Sequence, residues 1–555
     1  MKNIFNILLG TLLFIMSSCD DFFELKRPQE TQWTTTSTLE QGLSTAYWNL
    51  HWTGGMGRGC PQYFDFITSG SANLLDGTSV GVSYSQPYYR MFDQKLGESK
   101  ETWLKGYQII TLANLALDLD RDGNGNPFNL DVKSDDYVYN YKRQIAEYHF
   151  VRGCTYFYLV KFFGTPYDPN GNNESLSIPL KTTAAYSKED VMNEKIGTVK
   201  EVYDVVIQDL QYAKENLPEQ YTLNSWNNVP GYECGRGNKI IAAALLGKVY
   251  FLMGKYDLAQ KEFDYVIDYA EQTGRYRLED PQSPFIENAA ANRPLESIWE
   301  FNSGQLDGKS EKHNMYVYYG MIMGLRFRDS NGSDFYNVSD PKDGIVMSSW
   351  NCFTVGYWAL KRMGWMVDPE NGDYTITSTA KEDLRYQQVY HLMLPYEKGI
   401  KKGDEKYITH ESVDAHAQVS TPHVYLDKFF RGEKPYGRYS KYPLIRLADL
   451  YLLRAWLRWN GGEYQQAAND MNVVWNRSNP QNPNRYNSSN VNHTEIFNEY
   501  LREMTGEGWT VDFMMGTRMP IPAGDAKGNT VVAPPYSSWH WPIPDEETSL
   551  NPNYR

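Results

Sequence analysis

The sequence predicts an all-α-dominated fold, in which tetratricopeptide-like helix pairs form an α-solenoid body that carries an irregular, loop-rich ligand-binding region. Apolar residues recur at helical spacing over long stretches of the first half of the chain, which is the primary signal for amphipathic helices. One pair of these helices matches a repeat template. Residues 281–423, in contrast, are rich in Gly, Asn, Ser, Asp, Tyr and Trp and contain few long helical patterns.

Six segments carry the helical pattern. We predict helices over residues 101–119, 137–163, 198–217, 239–253, 257–271 and 444–459. Gly164 and Pro166 follow the second segment and Pro218 follows the third, and both residue types commonly end helices.

The fourth and fifth segments match the tetratricopeptide template. The spacing of its core is reproduced by Leu246, Gly247, Tyr250, Ala259 and Phe263. The small glycine allows two helices to approach closely, and the aromatic residues fill the gap between them. The first Trp and the final Pro of the template are absent, and a second helix pair over residues 444–475 fits it loosely. Because such units bury their faces only against neighbours, several should stack into one body.

The N-terminal residues indicate a lipoprotein. Lys2 is followed by an almost entirely apolar stretch over residues 4–16, which is too short to span a bilayer and has the form of a secretory signal. Two serines then precede Cys19, as in a bacterial lipobox. We therefore expect a signal peptide over residues 1–18, acylation of Cys19 as the lipid anchor, and a tether over residues 19–28.

The remaining residues, 29–555, are expected to form a single body. The expected parts are a helical scaffold over about residues 29–280 and 424–505, an irregular binding region over about 281–423, and an extended surface segment over about 506–555. A structureless loop as long as the middle region would be unusual, so short helices and strands are expected within it. No segment after the signal peptide is long and apolar enough to be a transmembrane helix.

Composition and charge narrow the choice of ligand. The net charge is −14 and the pI is about 5.3, and without a basic stripe this field excludes nucleic acid as a natural partner. Aromatic residues make up 15% of the chain, with 43 Tyr and 15 Trp. Flat rings match the apolar faces of sugars, so this content favours a carbohydrate ligand, although much of it must also serve the core.

The candidate ligand-binding residues are aromatic and planar polar side chains from two regions. The middle region supplies Tyr316, Tyr319, Trp350, Tyr357, Trp358, Trp365, Asn314 and Arg328. The N-terminal loops supply Trp48, Trp52, Tyr84 and Tyr88. Rings in a glycan site stack on sugars, while planar polar groups hydrogen-bond hydroxyls in pairs. For each ring the alternative is a place in the core.

One segment is a candidate calcium loop. The oxygen-bearing residues at alternating positions are Asp120, Asp122, Asn124 and, at the twelfth position, Asp131. The last residue is Asp rather than the usual Glu, and the alternative is a polar turn joining two helices. No cofactor is required by the sequence, and a structural Ca²⁺ is the one metal that it suggests.

No catalytic arrangement stands out, and we predict that the protein is not an enzyme. The sequence has nine His and contains no HExxH, GxSxG or phosphate-binding loop. Carboxylates are abundant, so a pair at the separation of a glycosidase stays open as an alternative. The four cysteines after Cys19 are widely spaced and form neither a disulfide framework nor a zinc site.

Several segments, in chain order, resemble the SusD/RagB-like lipoproteins of Bacteroidetes. They are residues 19–23, 146–166, 178–180, 198–218, 442–453, 541–544 and 551–553. Each motif is weak alone, but together they cover nearly the whole chain. One departure concerns residues 506–513, which lack the His and Arg of the family's E-G-H-R-W-x-D-L-like run. We interpret this run as structural.

The resemblance implies both the fold and the function. It implies a tetratricopeptide-containing helical body on the outer surface of the outer membrane, which closes over a SusC-like TonB-dependent transporter. Because many members bind glycans, it implies a non-catalytic lipoprotein that delivers oligosaccharide or polysaccharide to that transporter. A peptide-binding lipoprotein of the same importer type and, more remotely, a surface glycosidase are the alternatives.

Overall fold

The computed structural model describes the helical body and parts of the segments between its helices. The described residues are 33–51, 75–77, 90, 97–192, 194–221, 235–285, 294–301, 327–328, 334–335, 346–347, 353–367, 375–393, 423–426, 428, 442–523 and 530–554. The expected signal peptide, the tether and Cys19 lie outside these residues.

Helices form most of the described part. They are α1 (Thr36–His51), α2 (Gly97–Asp122), α3 (Lys142–Phe163), α4 (Lys188–Met192), α5 (Val199–Asn216), α6 (Lys239–Leu252), α7 (Tyr256–Thr273), α8 (Tyr357–Arg362), α9 (Ser378–Glu382), α10 (Leu384–Val389), α11 (Leu447–Asn460), α12 (Tyr464–Ser478), α13 (His493–Met504), α14 (Thr510–Gly516) and α15 (Asp545–Leu550). A π-helical segment, Asp136–Tyr141, leads directly into α3.

The long helices pack on each other in chain order. α1 packs on α2, α2 on α3, α3 on α5, α5 on α6, α6 on α7, α7 on α11, and α11 on both α12 and α13. This consecutive packing buries a continuous apolar core, as expected of stacked helix pairs. The predicted all-α-dominated body of tetratricopeptide-like pairs is therefore confirmed.

Local sequence explains where these helices begin and what they bury. Thr198 and Glu201 form a capping box at the start of α5, in which each side chain accepts a hydrogen bond from the other residue's backbone N–H, at 3.2 and 3.0 Å. Nearly every residue of α3 is buried, so this helix is the centre of the first half of the solenoid. A helix buried all round carries no single apolar stripe.

The α6–α7 pair has the close contact that the template requires. A Cβ atom on Gly247 would lie 2.5 Å from Cε1 of Phe263, so only glycine fits at this crossing. Ala259 and Phe263 are fully buried on the facing helix. Gly274 ends α7 in the left-handed conformation, at φ 64°, which glycine adopts without strain.

The described strands are short and pair in small antiparallel sheets. They are β1 (Leu75–Gly77), β2 (Leu176–Pro179), β3 (Ile196–Thr198), β4 (Ser297–Phe301), β5 (Phe327–Arg328), β6 (Asp334–Phe335), β7 (Val346–Met347), β8 (Phe353–Val355), β9 (Met366–Val367), β10 (Thr375–Ile376), β11 (Tyr390–Met393), β12 (His423–Leu426) and β13 (Tyr442–Arg446). The pairs are β1–β8, β2–β3, β4–β13, β9–β10 and β11–β12, and β5 pairs with both β6 and β7.

The predicted start of the last helix pair, at residue 444, is wrong, because a strand precedes the helix there. Residues 444–446 belong to strand β13, which pairs with β4, and α11 begins at Leu447. A short apolar run cannot be assigned to strand or helix by periodicity alone, and here the partner strand lies far away in the sequence.

The prediction of an extended surface segment over residues 506–555 is also wrong in part. Two helices, α14 and α15, interrupt it. The side chains of Trp509, Phe513, Tyr536 and Trp541 are buried in the body. The Trp509 indole N–H donates to the carbonyl of Leu444 at 2.6 Å, in agreement with a structural role for this run.

Among the described residues, no helix combines the length and the apolar character needed to cross a membrane.

Candidate functional site

A strand pair joins the two regions that supply the predicted ligand-binding residues. Strand β1, in the N-terminal region, pairs with β8, in the middle region, with Leu75 opposite Val355 and Gly77 opposite Phe353. β8 also packs beside β12. Two strands that are far apart in the chain, one from each region, are therefore neighbours in one sheet.

Helix α8 follows β8 directly and carries two of the predicted residues. Tyr357 and Trp358 are half-buried and pack against the edge of the core. The Trp358 ring lies 6.2 Å from the ring of Phe497, at an interplanar angle of 57°. The guanidinium of Arg362 lies 5.2 Å from the centre of the Trp358 ring. The Trp358 ring thus contributes to the packing of α8 on α13, and it is only partly buried.

Most of the other predicted ligand-binding residues lie outside the part of the chain that the structure describes. Those that lie outside the described residues are Trp52, Tyr84, Tyr88, Asn314, Tyr316, Tyr319 and Trp350. Arg328 belongs to strand β5, where its backbone pairs with Asp334 and Val346.

Two further aromatic residues of the predicted set have different surroundings from those expected. Trp365 is fully buried, with its ring 5.6 Å from that of Tyr386, and it is part of the core rather than a platform for a ligand. Trp48 lies on helix α1 rather than in a loop, and its side chain is partly exposed. Residue type alone did not distinguish these two tryptophans from rings that line a ligand site in a loop.

The candidate calcium loop begins inside a helix. α2 extends to Asp122, so Asp120 and Asp122 lie on its last turn and point roughly 200° apart. The carboxylates accept hydrogen bonds from neighbouring groups: Asp120 from the Tyr141 hydroxyl, Asp122 from Arg121, and Asp131 from the Lys133 amide. Within the described residues, no three or more His, Cys, Asp or Glu side chains form a group that could hold a metal ion. The calcium loop stays a prediction.

A polar groove lies at the C-terminal end of α2. Its volume is about 620 Å³, and its walls are the end of α2, residues 180–186, two residues of α4, and residues 194 and 195. The groove was missed from the sequence, because its wall residues form no motif. The one signal was a polar stretch interrupted by a single aromatic residue, Tyr186.

Buried polar side chains hold the backbone of this groove wall. The amide of Asn114 donates to the carbonyls of Lys181 and Thr183, at 3.0 and 3.1 Å. The buried carboxylate of Asp118 accepts from the Ala184 N–H at 2.8 Å and from the Tyr186 hydroxyl at 3.2 Å. Residues 181–186 of the wall are therefore fixed by α2 although they have no regular secondary structure.

A second group that sequence reasoning missed is a cluster of charges inside the protein. The cations are Arg385, Lys428, Arg446, Arg477 and Arg502, and the carboxylates are Glu296, Asp383, Glu499, Glu503 and Glu507. We call this set the interior ion cluster. Its charges are scattered over the sequence, so no local pattern revealed it. Because the cluster is buried and ion-paired throughout, it can hold elements together but cannot reach a ligand.

The pKa values of two carboxyl groups in the interior ion cluster are shifted in opposite directions. Burial raises the pKa of Glu503, but Arg477, Arg446 and Arg385 outweigh that effect and hold its pKa well below the usual value. For Glu296 the effect of burial is larger than that of Arg477 and Arg446, so its pKa is raised. The negative charge of Glu503 adds to this increase in the pKa of Glu296.

The stacked helix pairs define a tetratricopeptide-like α-solenoid, and comparisons with known proteins identify the family. A family model described as "Starch-binding associating with outer membrane" matches residues 66–251, and a model described as "SusD family" matches residues 296–555. The chain belongs to the SusD/RagB family.

Individual relatives are distant. SusD-like protein P2 of Formosa agariphila is 27% identical over 294 residues, which are 52% of this chain and 51% of the relative. A SusD-like protein of Bacteroides ovatus is 22% identical over 256 residues, which are 44% of this chain and 38% of the relative. The chain thus spans about half the length of the first curated relative and less of the second.

Solved structures match over nearly the whole chain. A SusD superfamily protein from Bacteroides thetaiotaomicron has a TM-score of 0.65 at 20% identity, covering 94% of this chain and 98% of that one. A SusD-like carbohydrate binding protein from Bacteroides vulgatus has a TM-score of 0.64 at 15% identity, covering 94% and 97%. At these identities the likeness shows the fold.

Proposed function

We propose that this protein is a non-catalytic glycan-binding lipoprotein of the cell surface, which delivers oligosaccharide to a SusC-like TonB-dependent transporter of the outer membrane. The observation that supports it most directly is the β1–β8 pair, which joins a strand of the N-terminal aromatic-rich region to a strand of the middle region. Membership of a family whose model description names starch binding and the outer membrane supports the same ligand class and location.

Binding would rest on stacking and paired hydrogen bonds. Tyr357 and Trp358 present ring surface beside β8, and the predicted partners Trp350, Asn314 and Arg328 come from the same region of the sequence. Rigid rings give a large contact area at little cost in conformational entropy, and amide or guanidinium groups then fix the orientation of the sugar hydroxyls. The ligand would leave chemically unchanged.

Attachment to the membrane would use the acyl chains on Cys19. Several chains give a lasting anchor, because each buried CH₂ contributes about 0.8 kcal/mol. A Cys19→Ser variant should lose incorporation of labelled fatty acid and leave the membrane fraction. A variant that stays in the membrane fraction without labelled lipid would contradict this anchor.

A structural Ca²⁺ at Asp120, Asp122, Asn124 and Asp131 is a separate proposal. It is supported by the spacing of the four oxygen ligands in the sequence. The carboxylates would have to exchange their present hydrogen bonds for the metal. Calorimetric titration with Ca²⁺ should release heat that an Asp122→Asn variant loses, and no heat from the wild type would end the proposal.

The decisive experiment for ligand class is a combined glycan and peptide array, probed with the soluble form that lacks residues 1–19. Binding confined to a family of glycans supports the proposal. Binding to peptides of varied sequence would favour the peptide-binding alternative, because peptide capture relies on backbone groups. Release of reducing sugar from the bound glycans would instead identify a glycosidase and refute the non-catalytic role.

Placement of the site is tested by a combined Trp350→Ala, Tyr357→Ala and Trp358→Ala variant. We expect it to lose most of the glycan affinity while keeping the helical circular dichroism of the wild type. A triple variant that binds glycan as tightly as the wild type would place the site elsewhere.

A further inference from the structure

We infer that the groove at the C-terminal end of α2 is a second binding site, whose ligand class is a neutral saccharide. The groove is lined by residues 118, 121, 180–186, 189, 190, 194 and 195, and it is separate in sequence from the two aromatic-rich regions. It therefore goes beyond the site proposed above, and the argument for it rests on its own side chains.

The ring of Tyr186 forms a fixed platform on the groove. Its side chain is 49% exposed, while its hydroxyl donates to the buried carboxylate of Asp118 at 3.2 Å. Burial and the Asp118 charge raise the pKa of the Tyr186 hydroxyl, so it stays a donor. Anchoring one end of the ring removes part of the entropy cost of stacking on a ligand.

Hydrogen-bonding groups of the right kind lie along the same wall. Thr182 and Thr183 are exposed residues, and their hydroxyls have no hydrogen-bond partner in the part of the chain that the structure describes. Their carbonyls accept from Arg152 and Asn114, at 3.3 and 3.1 Å, and this holds the backbone between them in place. Two hydroxyls on a fixed backbone can donate to and accept from the hydroxyls of a sugar.

One carboxylate on the groove is uncommitted. Glu189 is exposed and has no ion-pair or hydrogen-bond partner among the described residues. The neighbouring Asp190 differs, because it accepts the N–H groups of Tyr186 and Ser187, both at 2.8 Å. A planar carboxylate with both oxygens available can accept hydrogen bonds from two adjacent sugar hydroxyls.

The charges of the groove disfavour an anionic ligand. Each of its cations is already paired: Arg121 with Asp118 at 2.7 Å, Lys195 with Glu201 at 2.5 Å, and Lys181 with Glu194. An approaching phosphate or sulfate would find no uncommitted cation and would meet the Glu189 carboxylate. A neutral, hydroxyl-rich ligand incurs neither cost. The volume of about 620 Å³ is within the range of small-ligand sites.

The test compares four variants of the full soluble protein: Tyr186→Ala, Tyr186→Phe, Glu189→Gln and Tyr139→Ala. The probes are the hexaoses of the malto, cello, xylo and manno series, each titrated by calorimetry and soaked into crystals. Tyr139 is the matched control, because it is a comparably exposed tyrosine (55%) outside the groove. We expect Tyr186→Ala to lower the affinity of the groove for one of these sugars roughly tenfold. Tyr186→Phe keeps the ring but loses its hydrogen bond to Asp118, so its affinity should fall between those of the wild type and Tyr186→Ala. Glu189→Gln should lose part of the affinity, and Tyr139→Ala should match the wild type.

Several outcomes would overturn the inference. They are crystals without sugar density in the groove, equal affinity of Tyr186→Ala and Tyr139→Ala, and a preference of the groove for a sulfated oligosaccharide or a lysine-rich peptide over all four sugars. Tyr357→Ala, measured in the same series, separates this inference from the proposed function. If only Tyr357→Ala loses binding, the second site in the groove is refuted and the proposed function stands. If only Tyr186→Ala loses binding, the second site stands and the proposed site at α8 is refuted.

Discussion

Arg446 and Glu503 form an ion pair in the interior of the protein, with 2.9 Å between Nη1 and Oε1. Arg446 is the last residue of β13, and Glu503 lies on the last turn of α13. Arg446 also pairs with Glu507 at 2.7 Å and with Glu296, the residue before β4. This single guanidinium therefore connects the β4–β13 sheet with the end of α13 and the segment that leads into α14.

We predict that Arg446→Met strongly destabilises the protein. Removal of one partner leaves buried carboxylates without compensation, which costs roughly 3–5 kcal/mol. The free energy of unfolding, measured by urea denaturation at neutral pH, should fall by that amount.

The matched control for Arg446→Met is Lys200→Met, which breaks the exposed Lys200–Asp204 pair of 2.6 Å on α5. Exposed pairs of this kind contribute about 0–1 kcal/mol, so this variant should unfold almost as the wild type does. Equal losses in the two variants would mean that the interior ion cluster has no special role in stability.

Acid sensitivity is predicted for the junction of α1 and α3. Glu40 lies between Arg143, at 2.7 Å, and Arg236. Burial raises the pKa of Glu40, but Arg236 and Arg143 outweigh it and lower the pKa from 4.5 to about 2. Because the folded-state pKa is depressed, the stabilisation is present above about pH 4.5 and is lost as the pH falls toward about 2.

Glu40→Gln removes this titration. The variant should be less stable than the wild type at neutral pH, and its unfolding free energy should fall less steeply between about pH 4.5 and pH 2. One such carboxyl contributes a slope of up to about 1.4 kcal/mol per pH unit. Glu215→Gln, an exposed position on α5, should keep the slope of the wild type. Parallel curves for wild type and Glu40→Gln would refute the assignment.

The sequence was informative where structure depends on neighbours along the chain. The α6–α7 pair could be predicted because Gly247, Ala259 and Phe263 lie at fixed local spacing, and the capping box of α5 lies within four residues. Strand β13 was taken for the start of a helix because its partner, β4, is far away in the sequence.

The candidate sites followed the same rule. Tyr357 and Trp358 could be proposed by residue type, but Trp365 has the same type and neighbourhood and is buried in the core. The groove depends on Asn114 and Asp118 of α2 holding a segment more than sixty residues away. Such contacts are set by tertiary packing, and no local pattern of residues encodes them.

The close approach of α6 and α7 gives a steric prediction. An added methyl group on Gly247 would meet Cε1 of Phe263 at 2.5 Å and Cβ of Glu262 at 3.1 Å. Overpacking of this kind in a filled core costs about 1–3 kcal/mol, so Gly247→Ala should lower the thermal unfolding midpoint. Gly461→Ala is the control, because its nearest neighbour would be the Leu457 carbonyl oxygen at 3.4 Å and its φ of −80° suits alanine. A Gly247→Ala protein as stable as Gly461→Ala would show that the two helices can separate without cost.

Stability and ligand binding should separate at the two neighbouring rings of α8. The Trp358 ring packs near Phe497 and carries the guanidinium of Arg362, which lies 5.1 Å from the Phe497 ring as well. Trp358→Ala should therefore lower the unfolding free energy by roughly 1–3 kcal/mol and weaken glycan binding together. Trp358→Phe should recover part of the stability, because a ring still fills the contact.

Tyr357 lies one residue away and points about 100° from Trp358 around α8, so it should contribute more to the ligand than to the contact with α13. Tyr357→Ala should weaken glycan binding about tenfold, by loss of one stacking ring, while Tyr357→Phe should stay close to the wild type. Calorimetry well below the unfolding midpoint measures the affinity without interference from unfolding. If Tyr357→Ala kept full affinity while Trp358→Ala lost affinity only in proportion to its folded fraction, α8 would be a structural support and the glycan would bind elsewhere.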